Sequence, residues 1–370
     1  MDTDLKEEIS RLPEVPPDAA MAYKQHLGEM VEKVNNRMRR RPELDLLIGG
    51  NPVSMMFDNH RNHGLFMSNV FSLNEYALLL NTIPWVYRAY TGRGFSFNYF
   101  PAHLQTWRDV LEETLAPDSA ACLDAVYGWM ISRHEKFIQL SKQSHDRTME
   151  PDAQWRPVYE QFLQGLLSAD RQASMAVAKK AVPDLARLND FYIHVVQPAM
   201  YAVGAMWERG EISVAKEHLA SALVNRVMAV QYIELMESPE QSKGKAVVTA
   251  TANEFHEIGA AMVANALEAD GWEITFLGAN TPSEELLEYV SASGFDLVCV
   301  SITVPFNLES IQNVIQAIRT WPEGRQPKIM IGGQAFGGYP ELPQKLGADG
   351  FAENPEQAVA LADQWGKAIC

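Results

Sequence analysis

The chain has 370 residues, of which 47% are apolar and 21% charged, which excludes wholesale disorder and leaves length for two or three domains. Lys and Arg number 31 against 47 Asp and Glu, a net charge of −16 that excludes generic polyanion binding, so no direct nucleic-acid contact is expected. Cys122, Cys299 and Cys370 are too few and too scattered for a disulfide framework or a Cys-rich zinc site, and the charged opening MDTDLKEEIS and the lack of long apolar runs lead us to expect a cytoplasmic protein with no membrane span.

Residues 1–150 read as helices. A helical pattern runs through Met21–Arg41 and stops at Arg39-Arg40-Arg41-Pro42, where basic side chains meet the carbonyl end of the helix dipole. Phe66–Leu80 follows, then the aromatic stretch Trp85–Tyr90 and a turn at Thr91-Gly92-Arg93-Gly94. Pro101–Leu115 and Asp118–Ser141 are long helical patterns, separated by a stop and start at Pro117-Asp118. His60 and His63 are spaced to share a helix face, but no third ligand is apparent, and they read as surface or pigment contacts. Polar, proline-containing Lys142–Pro157 marks a domain boundary.

Residues 155–236 return to helical periodicity, forming a bundle over 151–240, and 237–244 reads as a linker. Beyond it the texture alternates. Strand patterns at Val247–Ala252, Ile274–Leu277, Leu297–Val304 and Lys328–Ile331 are separated by helical ones at Ile258–Leu267, Glu284–Ala292 and Leu308–Thr320, with a short last helix at Pro340–Leu346. This is the pattern of a doubly wound parallel sheet over 245–370, which binds ligands beyond the C-terminal ends of its strands.

The first strand runs into Asn253-Glu254-Phe255-His256-Glu257-Ile258-Gly259. A loop histidine with a carboxylate two residues earlier suits a metal ligand whose tautomer is fixed by an acid, although a lone loop histidine is also an ordinary surface residue. Gly259 lets a ligand approach the backbone. After Gly259 come 41 residues, then Ser301-Ile302-Thr303, then 28 residues, then Gly332-Gly333. This set resembles the cobalamin-binding domain shared by methionine synthase, mutases and corrinoid proteins, with Glu254 where the family usually has Asp. The resemblance implies that His256 ligates cobalt from below. It also implies that Ser301 and Thr303 hydrogen-bond the displaced nucleotide tail, and that Gly332 and Gly333 leave room for it.

Upstream, Trp207 is followed after nine residues by Glu217-His218. The spacing resembles the helical bundle of cobalamin-dependent photoreceptors, and Gly210-Glu211-Ile212-Ser213 with Ala215-Lys216-Glu217-His218 also resembles the bundle of methyl-carrying corrinoid proteins. In the photoreceptors this Trp and the Glu-His pair line the adenosyl pocket over the corrin. Glu208 stands where those proteins place a histidine that captures cobalt after photolysis, so His218 and His194 are the remaining candidates for that role.

Phe100–Trp107 through His134 resembles the last two helices of a globin, and Tyr87–Phe95 the turn near a globin's proximal ligand. Tyr90 stands where a haem histidine is expected, which makes haem the weaker expectation. The whole architecture resembles the photocobilins, which join a cobalamin module to a globin-like domain that binds biliverdin or a related bilin. Arg88 and Arg93 would then pair with propionates, and Trp85, Tyr87, Tyr90 and Phe97 would stack on the pigment; a structural aromatic core is the competing reading. Cys122 would leave the bilin non-covalent.

The resemblance implies a light-sensing protein, without catalytic residues, that binds adenosylcobalamin and signals to a downstream protein partner, as a dimer or higher homo-oligomer. The alternative is a corrinoid methyl carrier for a separate methyltransferase. An adenosylcobalamin isomerase is excluded, because the length cannot supply a substrate barrel.

Overall fold

The computed structural model describes residues 3–143, 151–235 and 243–369. Most of the expected linker at 237–244, the middle of the expected boundary at 142–157, and Cys370 lie outside these residues. By packing the chain divides into two compact units, 1–145 with 208–210, and 146–207 with 211–370.

The first unit is helical: α1 (Thr3–Ile9), α2 (Pro17–Arg39), α3 (Leu44–Ile48), α4 (Val53–Leu73), α5 (Ala77–Thr91), α6 (Tyr99–Thr114), α7 (Pro117–Ser132) and α8 (His134–Lys142). The expected run Phe66–Leu80 is broken at Asn74, which adopts a left-handed φ of 47°. Its amide pins Val15 from both sides, accepting from Val15 N at 2.8 Å and donating to Val15 O at 3.1 Å. Asn tolerates this conformation better than most residues, so the chain can turn there. The expected single helix Asp118–Ser141 likewise breaks at Arg133, whose guanidinium is held by Glu8 (Nε–Oε2 2.6 Å). The core between α2, α4, α6 and α7 is aromatic, with Tyr23, Phe71, Trp107 and Tyr127 fully buried.

The second unit begins with α9 (Arg156–Leu167), α10 (Arg171–Ala181) and α11 (Leu188–Phe191). One wide turn, Tyr192–Val196, leads into α12 (Gln197–Glu208), and α13 (Val214–Leu235) follows. In that turn Gln197 N–H bonds to Tyr192 O, five residues back. Pro198 has no N–H to offer the carbonyl of His194, and the wider turn accommodates that missing bond. Phe162, Phe191, Val196, Val203, Val224 and Val227 close the bundle core.

The sheet contains β1 (Lys245–Ala250), β2 (Glu273–Gly278), β3 (Leu297–Ser301), β4 (Lys328–Gly332) and β5 (Gly350–Ala352), all parallel in the order β2-β1-β3-β4-β5. Its helices are α14 (Ile258–Ala269), α15 (Ser283–Ser293), α16 (Leu308–Arg319), α17 (Leu342–Lys345) and α18 (Pro355–Ile369). The strand order reverses between β1 and β3, so the loops that follow these two strands face each other across the switch point. The central strands bury both faces, as parallel sheets covered by helices require. Helix α14 joins the two layers of this unit: Met262 enters the bundle core, and Asn265 Nδ2 donates to Tyr192 OH at 2.8 Å.

Candidate functional site

The loop after β1 is shaped by two asparagines in left-handed conformations, Asn253 (φ 61°) and Asn280 (φ 55°). Asn253 N–H donates to Asn280 Oδ1 at 2.8 Å, and Asn280 N–H donates to Glu254 O at 2.9 Å. The loops after β1 and β2 are thereby stitched together, which turns Glu254 inward.

Glu254 is completely buried. Its Oε2 accepts from Thr303 N at 2.8 Å, Val304 N at 3.0 Å and Asn307 Nδ2 at 3.3 Å, all on the segment after β3. Its Oε1 accepts from His256 N at 3.2 Å and from His256 Nδ1 at 2.5 Å. Burial alone would push this carboxyl up, but the His256 bond and charge together with the Val304 and Thr303 amides outweigh it and hold the group below the usual carboxylate range. Burial works downward on His256, and the hydrogen bond and charge of Glu254, with the charge of Glu217, raise it instead.

An ionised carboxylate can only accept, so Nδ1 carries a proton, and in the neutral imidazole Nε2 keeps its lone pair. The His256 side chain is 62% exposed, so that lone pair is accessible. Among the described residues no group of three His, Cys, Asp or Glu is arranged to hold a metal ion.

The other site residues lie around this pair. Gly259 is exposed in the first turn of α14, and a Cβ built there meets nothing within 4 Å, leaving space for a ligand. Ser301 ends β3 and Thr303 lies just beyond it, both half-buried. Phe255 is 70% exposed beside His256. These features fit a bulky cofactor gripped by one imidazole, with polar groups set deeper between the strand ends. Gly332 and Gly333 have a reason internal to the chain. A Cβ on Gly332 would meet Ala352 O at 2.8 Å, and one on Gly333, at φ 101°, would meet Ile302 O at 2.2 Å. A side chain at either position is therefore excluded by the protein's own backbone.

On the bundle, Trp207 is half-buried at the end of α12. Glu217 in the first turn of α13 accepts from Ser221 Oγ at 2.7 Å and from His218 Nδ1 at 2.6 Å, while the His218 ring is 74% exposed. His194 stacks on Trp155 with ring centroids 6.0 Å apart.

In the first unit the expected pigment residues do not share one surface. Tyr87 is 2% exposed, stacked on Phe100 with centroids 3.7 Å apart, and bonded through its hydroxyl to His134 Nδ1 at 2.9 Å. It is a core residue here. Glu208 accepts from Trp85 Nε1 at 2.8 Å and lies 3.6 Å from Arg88 Nε. Arg93 donates to Ala89 O, and Tyr90 meets Phe95 edge-on. The surface reading of His60 and His63 is corrected. His60 is fully buried, and His103 from α6 lies 4.7 Å from both rings. The third histidine is 40 residues further along the chain, so spacing alone could not reveal it.

Sequence reasoning also missed Asn253, Asn280 and Asn307, whose only signal is that Asn favours left-handed turns and caps. It missed Glu257 as well, which accepts from Asn225 Nδ2 on α13 at 2.9 Å.

Residues 244–360 match a B12 binding domain model, and residues 158–231 match a second B12 binding domain model. The chain is 25% identical over 210 residues to a dimethylamine corrinoid protein of Methanosarcina barkeri, and 27% identical over 215 residues to dimethylamine corrinoid protein 1 of Methanosarcina acetivorans. About 55% of this chain covers 95% and 97% of those relatives. The solved monomethylamine corrinoid protein of Methanosarcina barkeri is 20% identical, with a TM-score of 0.50 over 57% of this chain and 99% of that one, and so shares the fold. No helix among the described residues is long and apolar enough to cross a membrane. Together the two matched segments, carrying the His256 loop and the helices packed on α14, make the second unit a cobalamin-binding module.

Proposed function

We propose that the protein carries cobalamin with His256 as the lower cobalt ligand and serves as a corrinoid carrier for a separate methyltransferase. The observation that carries the ligation is the Glu254–His256 pair, in which a buried, amide-anchored carboxylate leaves Nε2 free and exposed. Bound cobalamin would supply a cobalt centre able to accept and release a methyl group. Ser301 and Thr303 would hydrogen-bond the nucleotide tail, Gly259 would admit it, Gly332 and Gly333 would keep the strand ends close beside it, and Trp207, Glu217 and His218 would line the opposite face. The carrier role is supported by the likeness to proteins named as dimethylamine corrinoid proteins, which are matched almost end to end.

A second reading is favoured by the helical residues 3–143, which lie outside the matched segments. In it, the protein is a light sensor of the photocobilin type that binds adenosylcobalamin, with a globin-like first unit holding a bilin near Arg88, Tyr90 and Arg93 and a signal passed on through a partner or self-association. One set of experiments tests both readings. Hydroxocobalamin is titrated into wild type and His256→Ala, and the absorption spectrum is followed. Unchanged affinity and colour in the variant would overturn His256 ligation. Methyl transfer from the methylcobalamin-loaded protein to an acceptor in the presence of a methyltransferase supports the carrier. A light-dependent spectral change of the adenosylcobalamin-loaded protein with altered association supports the sensor. Mass spectrometry of small molecules released after expression with a bilin decides the pigment.

A further inference from the structure

Helix α13 carries a half-buried polar line. Glu217, Ser221 and Asn225 recur every four residues, so they share one face. All three are half-buried. Ser221 Oγ donates to Glu217 Oε1 at 2.7 Å, and Asn225 Nδ2 donates to Glu257 Oε1 at 2.9 Å. Glu257 follows His256 directly and stands at the N-terminal end of α14, where its own carbonyl accepts from Ala261 N at 2.8 Å. Its other carboxylate oxygen lies 3.3 Å from where a Cβ on Gly278 would sit, so the end of β2 confines the side chain.

The histidine loop thus has two acidic handles pointing to different layers. Glu254 ties it to the amides after β3, and Glu257 ties it to the bundle. We propose that the Asn225–Glu257 hydrogen bond is a coupling clip, and that Glu257 is a positioning residue through which the state of the His256 loop is transmitted to α13. The inference rests on the cobalamin-binding reading and adds a route by which the bundle responds to it. The bundle is also held on α14 by Tyr192–Asn265, Tyr232–Glu268 and the Met262 contact, so losing the clip leaves it attached but decoupled from the loop. Coupling of this kind is reciprocal, so a loosened α13 also changes how firmly the loop is held.

The test is hydrogen–deuterium exchange of the full chain, with peptides covering 217–231 and 255–262, with and without hydroxocobalamin, in wild type, Asn225→Ala, Glu257→Ala and Glu257→Gln. Without cobalamin, both alanine variants should exchange about tenfold faster in 217–231, the size expected for losing one hydrogen bond to a carboxylate. Glu257→Gln keeps an acceptor oxygen and should restore most of the protection. With hydroxocobalamin, wild type should gain protection in both segments, whereas the alanine variants should gain it only in 255–262. Wild-type protection of 217–231 in either alanine variant, or equal cobalamin-induced gains in wild type and variants, overturns the clip. Failure of the underlying reading looks different: wild type itself shows no cobalamin spectrum, while the cobalamin-free comparison still decides whether the bond holds α13.

Discussion

Replacing Glu254 by Gln isolates the tautomer from the fold. The amide can be placed in two ways. If its oxygen faces His256, its NH2 group points at the Thr303 and Val304 amides, and two buried donors lose their acceptor. At about 1–3 kcal/mol for each unsatisfied group, that costs about 2–6 kcal/mol. If the oxygen instead stays with the amides, the NH2 group faces His256, whose backbone N–H loses its acceptor and whose imidazole moves its proton from Nδ1 to Nε2; with one backbone donor stranded beside an exposed side chain rather than two buried ones, this is the cheaper arrangement. The nitrogen offered to cobalt is then the protonated one. The expected result is a folded variant, destabilised by about 1–2 kcal/mol through the weakened charge-assisted bonds, whose cobalamin affinity falls about 10–100-fold. Glu254→Ala differs, because it strands the Thr303, Val304 and Asn307 donors together and should cost about 3–9 kcal/mol. Hydroxocobalamin titration by absorbance and urea unfolding by circular dichroism separate the two effects. A Glu254→Gln protein that binds cobalamin with wild-type affinity and colour would refute the argument that this carboxylate sets the ligand tautomer.

Two glycines make a paired prediction. Gly333→Ala forces a Cβ into Ile302 O at a positive φ and should lower stability by about 2–3 kcal/mol in thermal melts, whereas Gly259→Ala enters open space and should leave the melting temperature unchanged or raised while weakening cobalamin binding by titration. The first unit should be acid-sensitive. Burial pushes His60 and His63 down to about 3, against about 6.5 when unfolded, so the unfolded chain binds more protons between those values. Their contribution is intact above about pH 6.5 and is lost as pH falls toward 3, amounting for His60 alone to about 2 kcal/mol by pH 5. Urea unfolding followed by tryptophan fluorescence between pH 7 and 5 should show this decline, and His60→Gln should flatten it.

The strands at 245–250, 297–301 and 328–332 could be read from the chain because fully buried parallel strands are short, β-branched runs. Strand β5 and helix α18 were not anticipated. Three residues are too few to show a period, and β5 is a strand only because β4 offers it an edge. The Glu254–His256 pair was legible because its partners are two residues apart. The amides and asparagine that hold Glu254 are not, since they come from a loop some fifty residues away.

By itself the sequence determined which chemistry is present: an acid-paired histidine, the spacing of hydroxyls and glycines along alternating strands, and a helical segment before them. Local spacing encodes these because each depends on a few neighbouring residues. Only the tertiary structure decided that Glu254 is sealed from water by the segment after β3, that Glu257 answers to α13, that Gly333 is required by Ile302, and that His60, His63 and His103 meet inside the first unit. Each of these follows from burial and contact between residues distant along the chain, which periodicity does not report.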